Sequence, residues 1–205
     1  CFFYIIFLEI HMIKIAYNTL RLMRPRQWIK NIAIFAAIVF SGDLFDWTVL
    51  QKVLLAFIVF CSLSSASYII NDIVDVKKDR LHPFKRFRPL ANKDLKVAYA
   101  LGVAFALIIF SFILGLMVNP AFFILGIIYL TIQFSYSTVL KPIAIVDILV
   151  IALGYILRVY AGELAGGVHI SVWLLLTTIS LSLFLAIGKR RSELTLVSRN
   201  KSVNI

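Results

Sequence analysis

Six apolar blocks, each near the length of a bilayer crossing and separated by charged links, leave this chain few ways to fold. Spanning hydrocarbon as an α-helix takes about 20 apolar residues, range roughly 17–25. The blocks fall at about 28–46, 50–71, 96–117, 120–139, 143–164 and 171–188. Asn119-Pro120, Lys141-Pro142 and Gly166-Gly167 punctuate them, because proline ends a helical ladder and paired glycines favour turns. With 61% hydrophobic and only 15% charged residues, a 205-residue domain in water would expose far more apolar surface than it could hide. Lipid is therefore the expected solvent, and the expected fold is an all-α polytopic transmembrane helical bundle.

The net charge of +11 is distributed unevenly. Arg21, Arg24, Arg26 and Lys30 precede the first block; Lys77, Lys78, Arg80, Lys85, Arg86, Arg88, Lys93 and Lys96 join the second to the third. Lys141 follows the fourth, and Lys189, Arg190 and Arg191 follow the sixth. Two crossings separate each group from the next, so all lie on one side. By the positive-inside rule that side, with the amino terminus, is cytoplasmic. No recognition helix, zinc spacing or stacking motif accompanies the charge, so nucleic acid is not an expected partner. Cys1 and Cys61 suggest no disulfide framework. Residues 1–23 read either as an interfacial segment or as an extension upstream of the functional start, since Met12 and Met23 both follow.

The second block ends in Asn71-Asp72-x-x-Asp75-x-x-x-Asp79. Steps of three and four residues put Asp72, Asp75 and Asp79 on one helical face, with Asn71 four before Asp75. Like charges so gathered at the edge of an apolar span call for a cation. Magnesium fits, because it binds carboxylates and substrate phosphates while keeping some waters. The plain alternative is a helix end emerging into solvent. Link 79–94 is either a positive-inside loop or a lid over phosphates. Asp147 opens the fifth block on the same side; Arg158, eleven residues on, lies roughly 16 Å deeper on nearly the same face. A buried intramembrane arginine needs a polar partner, either Glu163, a neighbouring helix or a lipid phosphate. Tyr136, Ser137 and Lys141 return to the cytoplasmic face, as do Lys189, Arg190 and Glu193. An aromatic belt and positive-inside charge account for most of these, phosphate binding for all of them.

The run from Asn71 to Asp79, followed by Arg80, His82-Pro83 and Arg88-Pro89, resembles the first aspartate-rich motif and loop of the UbiA superfamily of intramembrane prenyltransferases. Arg24-Pro-Arg-Gln-Trp-Ile-Lys-Asn31 and Gly188-Lys-Arg-Arg-Ser-Glu-Leu194 look like the subgroup that transfers 5-phosphoribosyl to decaprenyl phosphate. A second D-x-x-x-D, usual in the aromatic prenyltransferases, is missing after the sixth block, which favours a phosphoribosyl donor. The resemblance covers about residues 20–194 and implies a UbiA-like bundle with six spans here of about nine. It implies a domain at 24–194, with 195–205 as a tail or the start of a further portion. It also implies a bacterial plasma-membrane enzyme that uses Mg2+, phosphoribosyl diphosphate and a polyprenyl phosphate. Asp72, Asp75 and Asp79 would hold the metal. Lys30, Asn71, Arg80, Arg86, Tyr136, Lys141, Asp147, Arg158, Lys189, Arg190 and Glu193 would contact substrate. Prenyl transfer to an aromatic or haem-like acceptor, and ion or solute transport, are the competing readings.

Overall fold

The computed structural model describes the backbone of residues 2–140 and 144–202, and side chains over 9, 11–139, 145–188 and 190–192. Every described regular element is helical. Helix α1 is Phe2–Met23, α2 Ala36–Ser41, α3 Trp47–Leu81, α4 Val97–Val118, α5 Pro120–Ser135, α6 Ala144–Gly166 and α7 Val172–Ser202. Five helices among the described residues have the length and apolar character to cross a membrane: Trp47–Leu81, Val97–Val118, Pro120–Val139, Ile145–Gly166 and Val172–Ser192. The chain is a multi-pass membrane protein.

The first expected span is a correction. Residues 28–46 do not form one helix: a 3₁₀ segment, Pro25–Phe35, runs into the six-residue α2, which ends at Gly42 with φ of 89°. Five continuous spans are therefore present among the described residues, not six. The broken segment nevertheless runs the length of α3. Arg24 at its start meets Asp72 near the far end of α3, while Asp46 at its close caps the first turn of α3. A 3₁₀ helix rises about 2 Å per residue against about 1.5 Å for an α-helix, so the 11 residues of Pro25–Phe35 reach as far as about 15 α-helical ones.

Close approach explains the unusual geometry. Asn31 donates to Ser64 Oγ at 3.2 Å and to Cys61 Sγ at 3.3 Å, and Trp28 Nε1 donates to Ser65 Oγ at 2.9 Å. On the other flank a Cβ at Gly162 would collide with the carbonyl of Ile34. Apolar burial drives little association in lipid, so small residues and interhelical hydrogen bonds hold such helices together. Helix α3 carries the small residues: Cys61 to Ser67 are buried at every position. Its apolar window is 61% buried and that of α4 only 17%, which makes α3 the central post and α4 a lipid-facing one.

Two packed regions result. Ile34, Ile38, Phe60, Leu63, Phe122 and Tyr129 belong to one, inside the bundle. Leu22, Ile69, Leu90, Leu95, Ala100 and Ala104 form the other, at the end where α1 and the link 82–96 meet α3. The caps are legible in sequence. Asp46 accepts from Thr48 N at 2.8 Å and Val49 N at 3.3 Å, and Asn119 accepts from Phe122 N at 2.7 Å while donating to Leu164 O. The Thr48 hydroxyl, followed by the two amides, holds the Asp46 carboxyl below its ordinary range. Its contribution to stability is present above that range and is lost as pH falls through the lowered value. The breaks at Asn119-Pro120 and Gly166-Gly167 fall where expected; Lys141-Pro142 lies outside the described residues.

Gly162→Val forces α6 from the 3₁₀ segment and is expected to destabilise the chain by about 1–3 kcal/mol. Gly102→Ala, with nothing within 4 Å of the added carbon, should be neutral or slightly stabilising. Unfolding in detergent compares the two; equal stability of the two variants would contradict the packing described.

Candidate functional site

The acidic end of α3 is buried. Asp72, Asp75 and Asp79 are 3%, 7% and 3% exposed, so each carboxylate has lost most of its water. Leaving such a charge uncompensated is costly by several kcal/mol. Two arginines from outside the helix supply the countercharge. Arg88 Nη1 donates to Asp72 Oδ1 at 3.0 Å and to Asp79 Oδ2 at 2.6 Å, and Arg24 Nη2 donates to Asp72 Oδ1 at 2.5 Å. One guanidinium nitrogen thus stands where two carboxylates converge.

Local sequence puts both arginines there. Each precedes a proline, which favours an extended backbone: Arg88 follows that preference at φ −68° and ψ 146°, and Arg24 departs from it. Arg88 follows the 3₁₀ turn Lys85–Phe87 and is anchored by the buried Leu90 and Ala91. The link therefore folds back on α3. Arg24 adopts φ 55° and ψ 59°, left-handed and uncommon for a side-chain-bearing residue; its guanidinium also lies 5.2 Å from the centre of the Tyr68 ring. Neither was among the expected substrate-binding residues, although the two Arg-Pro steps are visible in sequence.

Two of the expected groupings are not assembled among the described residues. Among the described residues no three His, Cys, Asp or Glu side chains are grouped so as to hold a metal, so the expected triad of Asp72, Asp75 and Asp79 is not a ready-made cage. Seven residues separate Asp72 from Asp79, about 10 Å along the helix axis, and Arg88 fills the interval. Arg80 and Arg86 are not brought to the carboxylates either. They are exposed and line a separate surface bowl of about 310 Å³ with Asn92 and Lys93, because α3 continues to Leu81 and turns Arg80 outward. Asn71 is half-buried beside the acidic face.

Inside the bundle lies a polar chamber of about 140 Å³, with Ser64, Tyr68, Gln133, Tyr136, Lys30 and Arg158 in its wall. Arg158 is 5% exposed. Its Nε donates to Asn31 Oδ1 at 2.7 Å, Nη1 to Gly154 O at 2.5 Å and Nη2 to the Tyr129 hydroxyl at 3.1 Å. A neighbouring segment therefore satisfies it, and Glu163 faces His169 at 3.6 Å instead. Lys30 and Tyr155 also border an apolar groove of about 520 Å³ whose wall includes Ile29, Phe40, Leu174 and Leu181. Polar chamber and apolar groove share a boundary.

The opposite rim is built on Asp147, which is fully buried. It accepts from the Tyr136 hydroxyl and from Arg190 Nε at 2.5 Å. Tyr136 sits on a π-helical turn, Tyr136–Leu140, which turns its hydroxyl toward α6. Tyr136, Asp147 and Arg190 are thus brought together. The side chains of Lys141, Lys189 and Glu193 lie outside the described residues.

The described residues form an all-helical membrane bundle, with buried acidic residues at one end of its central helix and a polar chamber inside it. Residues 31–190 match the UbiA prenyltransferase family, and the chain belongs to that family. It is 38% identical over 190 residues to the decaprenyl-phosphate phosphoribosyltransferase of Corynebacterium glutamicum, covering 91% of this chain and 57% of that protein. The enzyme of the same description from Mycobacterium tuberculosis is 39% identical over 186 residues, 89% of this chain and 62% of that one. The chain therefore spans about three-fifths of the length of these relatives. The fold is similar to that of a UbiA homolog from Archaeoglobus fulgidus bound to DMAPP and Mg2+, with a TM-score of 0.73 and 24% identity over 84% of this chain and 62% of that one.

Arg190→Met strands the fully buried carboxylate of Asp147 and is expected to destabilise by on the order of 3 kcal/mol. Asp147→Asn keeps an acceptor for Tyr136 and leaves Arg190, about one-third exposed, able to reach water. Equilibrium unfolding should rank Arg190→Met as the more damaging; the reverse order would contradict the burial of Asp147.

Proposed function

We propose that the chain transfers 5-phosphoribosyl from phosphoribosyl diphosphate to a polyprenyl phosphate, with magnesium held at the acidic end of α3. The observation that carries this reading is the bridge at Asp72 and Asp79, where one cationic nitrogen already spans two buried carboxylates. The donor set there is all oxygen, with Asn71 and Asp75 within a turn of Asp72. That suits magnesium, which needs only one or two carboxylates and takes its remaining ligands from water and phosphate. Asp72 and Asp79 would hold it, with Asp75 beside them. When bound, the ion neutralises charge on a diphosphate leaving group.

The protein's own groups supply the rest. In the reaction a polyprenyl phosphate oxygen forms a bond to ribose C1 as the bond from C1 to the diphosphate oxygen breaks. The attacking oxygen is ionised at neutral pH, so no strong base is required. Lys30 and Arg158 present cations to the chamber and its hydroxyls offer donors, a lining suited to a ribose phosphate. The adjoining apolar groove suits an isoprenoid tail. Lys141, Lys189, Arg190 and Glu193 would complete the phosphate-binding rim. The basic links favour a cytoplasmic position for this end of the bundle and for the amino terminus. The catalytic unit would be 24–194, with 1–23 an extension or interfacial segment and 195–205 a tail or the start of a further portion. The relatives at 38–39% identity, described as decaprenyl-phosphate phosphoribosyltransferases, favour the phosphoribosyl donor over a prenyl one.

The same groove also suits a prenyl diphosphate donor, so prenyl transfer to an aromatic acceptor is the second reading. Membranes containing the protein, given phosphoribosyl diphosphate and polyprenyl phosphate, should form the lipid-linked phosphoribose and release diphosphate. The same membranes given prenyl diphosphate and hydroxybenzoate should form nothing; product only in this second mixture would overturn the proposal. Asp75→Asn should lower turnover by about 10²-fold or more, the scale of losing one preorganised electrostatic contact, with membrane insertion unchanged. Chelation of divalent ions should abolish turnover and added Mg2+ restore it.

A further inference from the structure

Arg24 and Arg88 hold positions that a bound cation would need. Arg88 Nη1 lies within 3.0 Å of Asp72 and 2.6 Å of Asp79, and Arg24 shares the same Asp72 oxygen. The guanidiniums are only 26% exposed and the carboxylates almost entirely buried. Divalent ion and arginines therefore compete for the same oxygens. Together the two arginines carry the charge of one divalent ion, so an exchange leaves the net charge at the carboxylates unchanged.

We infer that Arg24 and Arg88 form an internal counter-ion clasp that exchanges places with the metal and moves onto the incoming diphosphate. The inference deepens the magnesium-and-diphosphate reading above and rests on it. Released alone by a metal, the two guanidiniums would remain partly buried without a counter-anion, an unfavourable state. A diphosphate supplies that anion, and guanidinium groups fit phosphate oxygens in a bidentate manner. Metal and diphosphate therefore bind as a coupled pair, each weak without the other. Arg88 lies on a link between α3 and α4, and Arg24 is held in a left-handed conformation at φ 55°. Strain of this kind is of order 1–3 kcal/mol and persists only while the surroundings enforce it; the ion pair to Asp72 and the Tyr68 ring enforce it here. Loss of Asp72 to a metal would relax Arg24.

The test uses the full chain in detergent or nanodiscs, with Mn2+ followed by electron paramagnetic resonance and inorganic pyrophosphate as the second ligand. On the unmodified chain, pyrophosphate should tighten Mn2+ binding by about tenfold or more beyond the affinity of the two for each other in solution, within the usual range of coupling between sites. Additive binding overturns the clasp. In Arg88→Gln, Mn2+ alone should bind about tenfold more tightly than in the unmodified chain, and the enhancement by pyrophosphate should largely vanish. Arg88→Lys, which keeps a charge but not the fork, should fall between. Unchanged or weaker binding of Mn2+ alone in Arg88→Gln makes the arginine a structural tie only and overturns the proposal. Arg88→Gln is expected to lower the stability of the metal-free chain, so the coupling on the unmodified chain stands as an independent criterion. Prenyl and phosphoribosyl donors present the same diphosphate. Coupling without phosphoribosyl transfer would therefore overturn the donor assignment and leave the clasp intact.

Discussion

Three carboxylates at the end of a helix that otherwise faces lipid or protein must find positive charge, and much of the described architecture follows from how they find it. Asp72 and Asp79 draw Arg88 back across the top of α3, and with it the link between α3 and α4, whose Leu90 and Leu95 then complete a packed cluster with Leu22 and Ala100. Asp72 draws in Arg24, which fixes where the segment 25–41 begins its descent. A second buried acid, Asp147, does the same on the facing rim with Arg190 and Tyr136. The polar chamber lies between α3, α5, α6 and the 3₁₀ segment, where Tyr68, Gln133, Lys30 and Arg158 face it. Burying ions is unfavourable unless they are paired, so the pairing and the closed end of the bundle stand or fall together.

The descent beside α3 shows how lipid changes the rules of packing. Where apolar surface gains little by leaving a hydrocarbon solvent, contact depends on how near backbones can come. Ser64, Ser65 and Gly162 offer no bulk, and Asn31 and Trp28 donate hydrogen bonds to those serine hydroxyls. The tight 3₁₀ coil of Pro25–Phe35 is the form in which this segment fits. Its Asn31 also orients Arg158, so the first residues of the bundle reach the deepest cation of the chamber.

Most of this architecture can be read from the chain, and the parts that cannot share a cause. Apolar length and the positions of Asn119, Pro120, Gly166 and Gly167 reveal four of the spanning helices, and the three- and four-residue steps of Asp72, Asp75 and Asp79 reveal the long α3 with its acidic face. Hydrophobicity does not distinguish an α-helix from a 3₁₀ one, so residues 28–46 read as an ordinary span although the backbone is broken at Gly42. Charge pairing across the fold is also invisible in spacing. Arg80 and Arg86 stand nearer to the acidic run than Arg88 or Arg24, yet they face outward, because which arginine arrives depends on where the link anchors. The two Arg-Pro steps were the available clue.

Central to this account is that Asp72 and Asp79 form one cation position, held by Arg88 until a metal and a diphosphate arrive together. A structure of the chain with Mn2+ and pyrophosphate, with manganese located by its anomalous scattering, tests it most directly. Manganese is expected on oxygens of Asp72 and Asp79, with the Arg88 guanidinium moved onto pyrophosphate. Manganese bound elsewhere, or Arg88 still bridging the two carboxylates in the presence of both ligands, would contradict it.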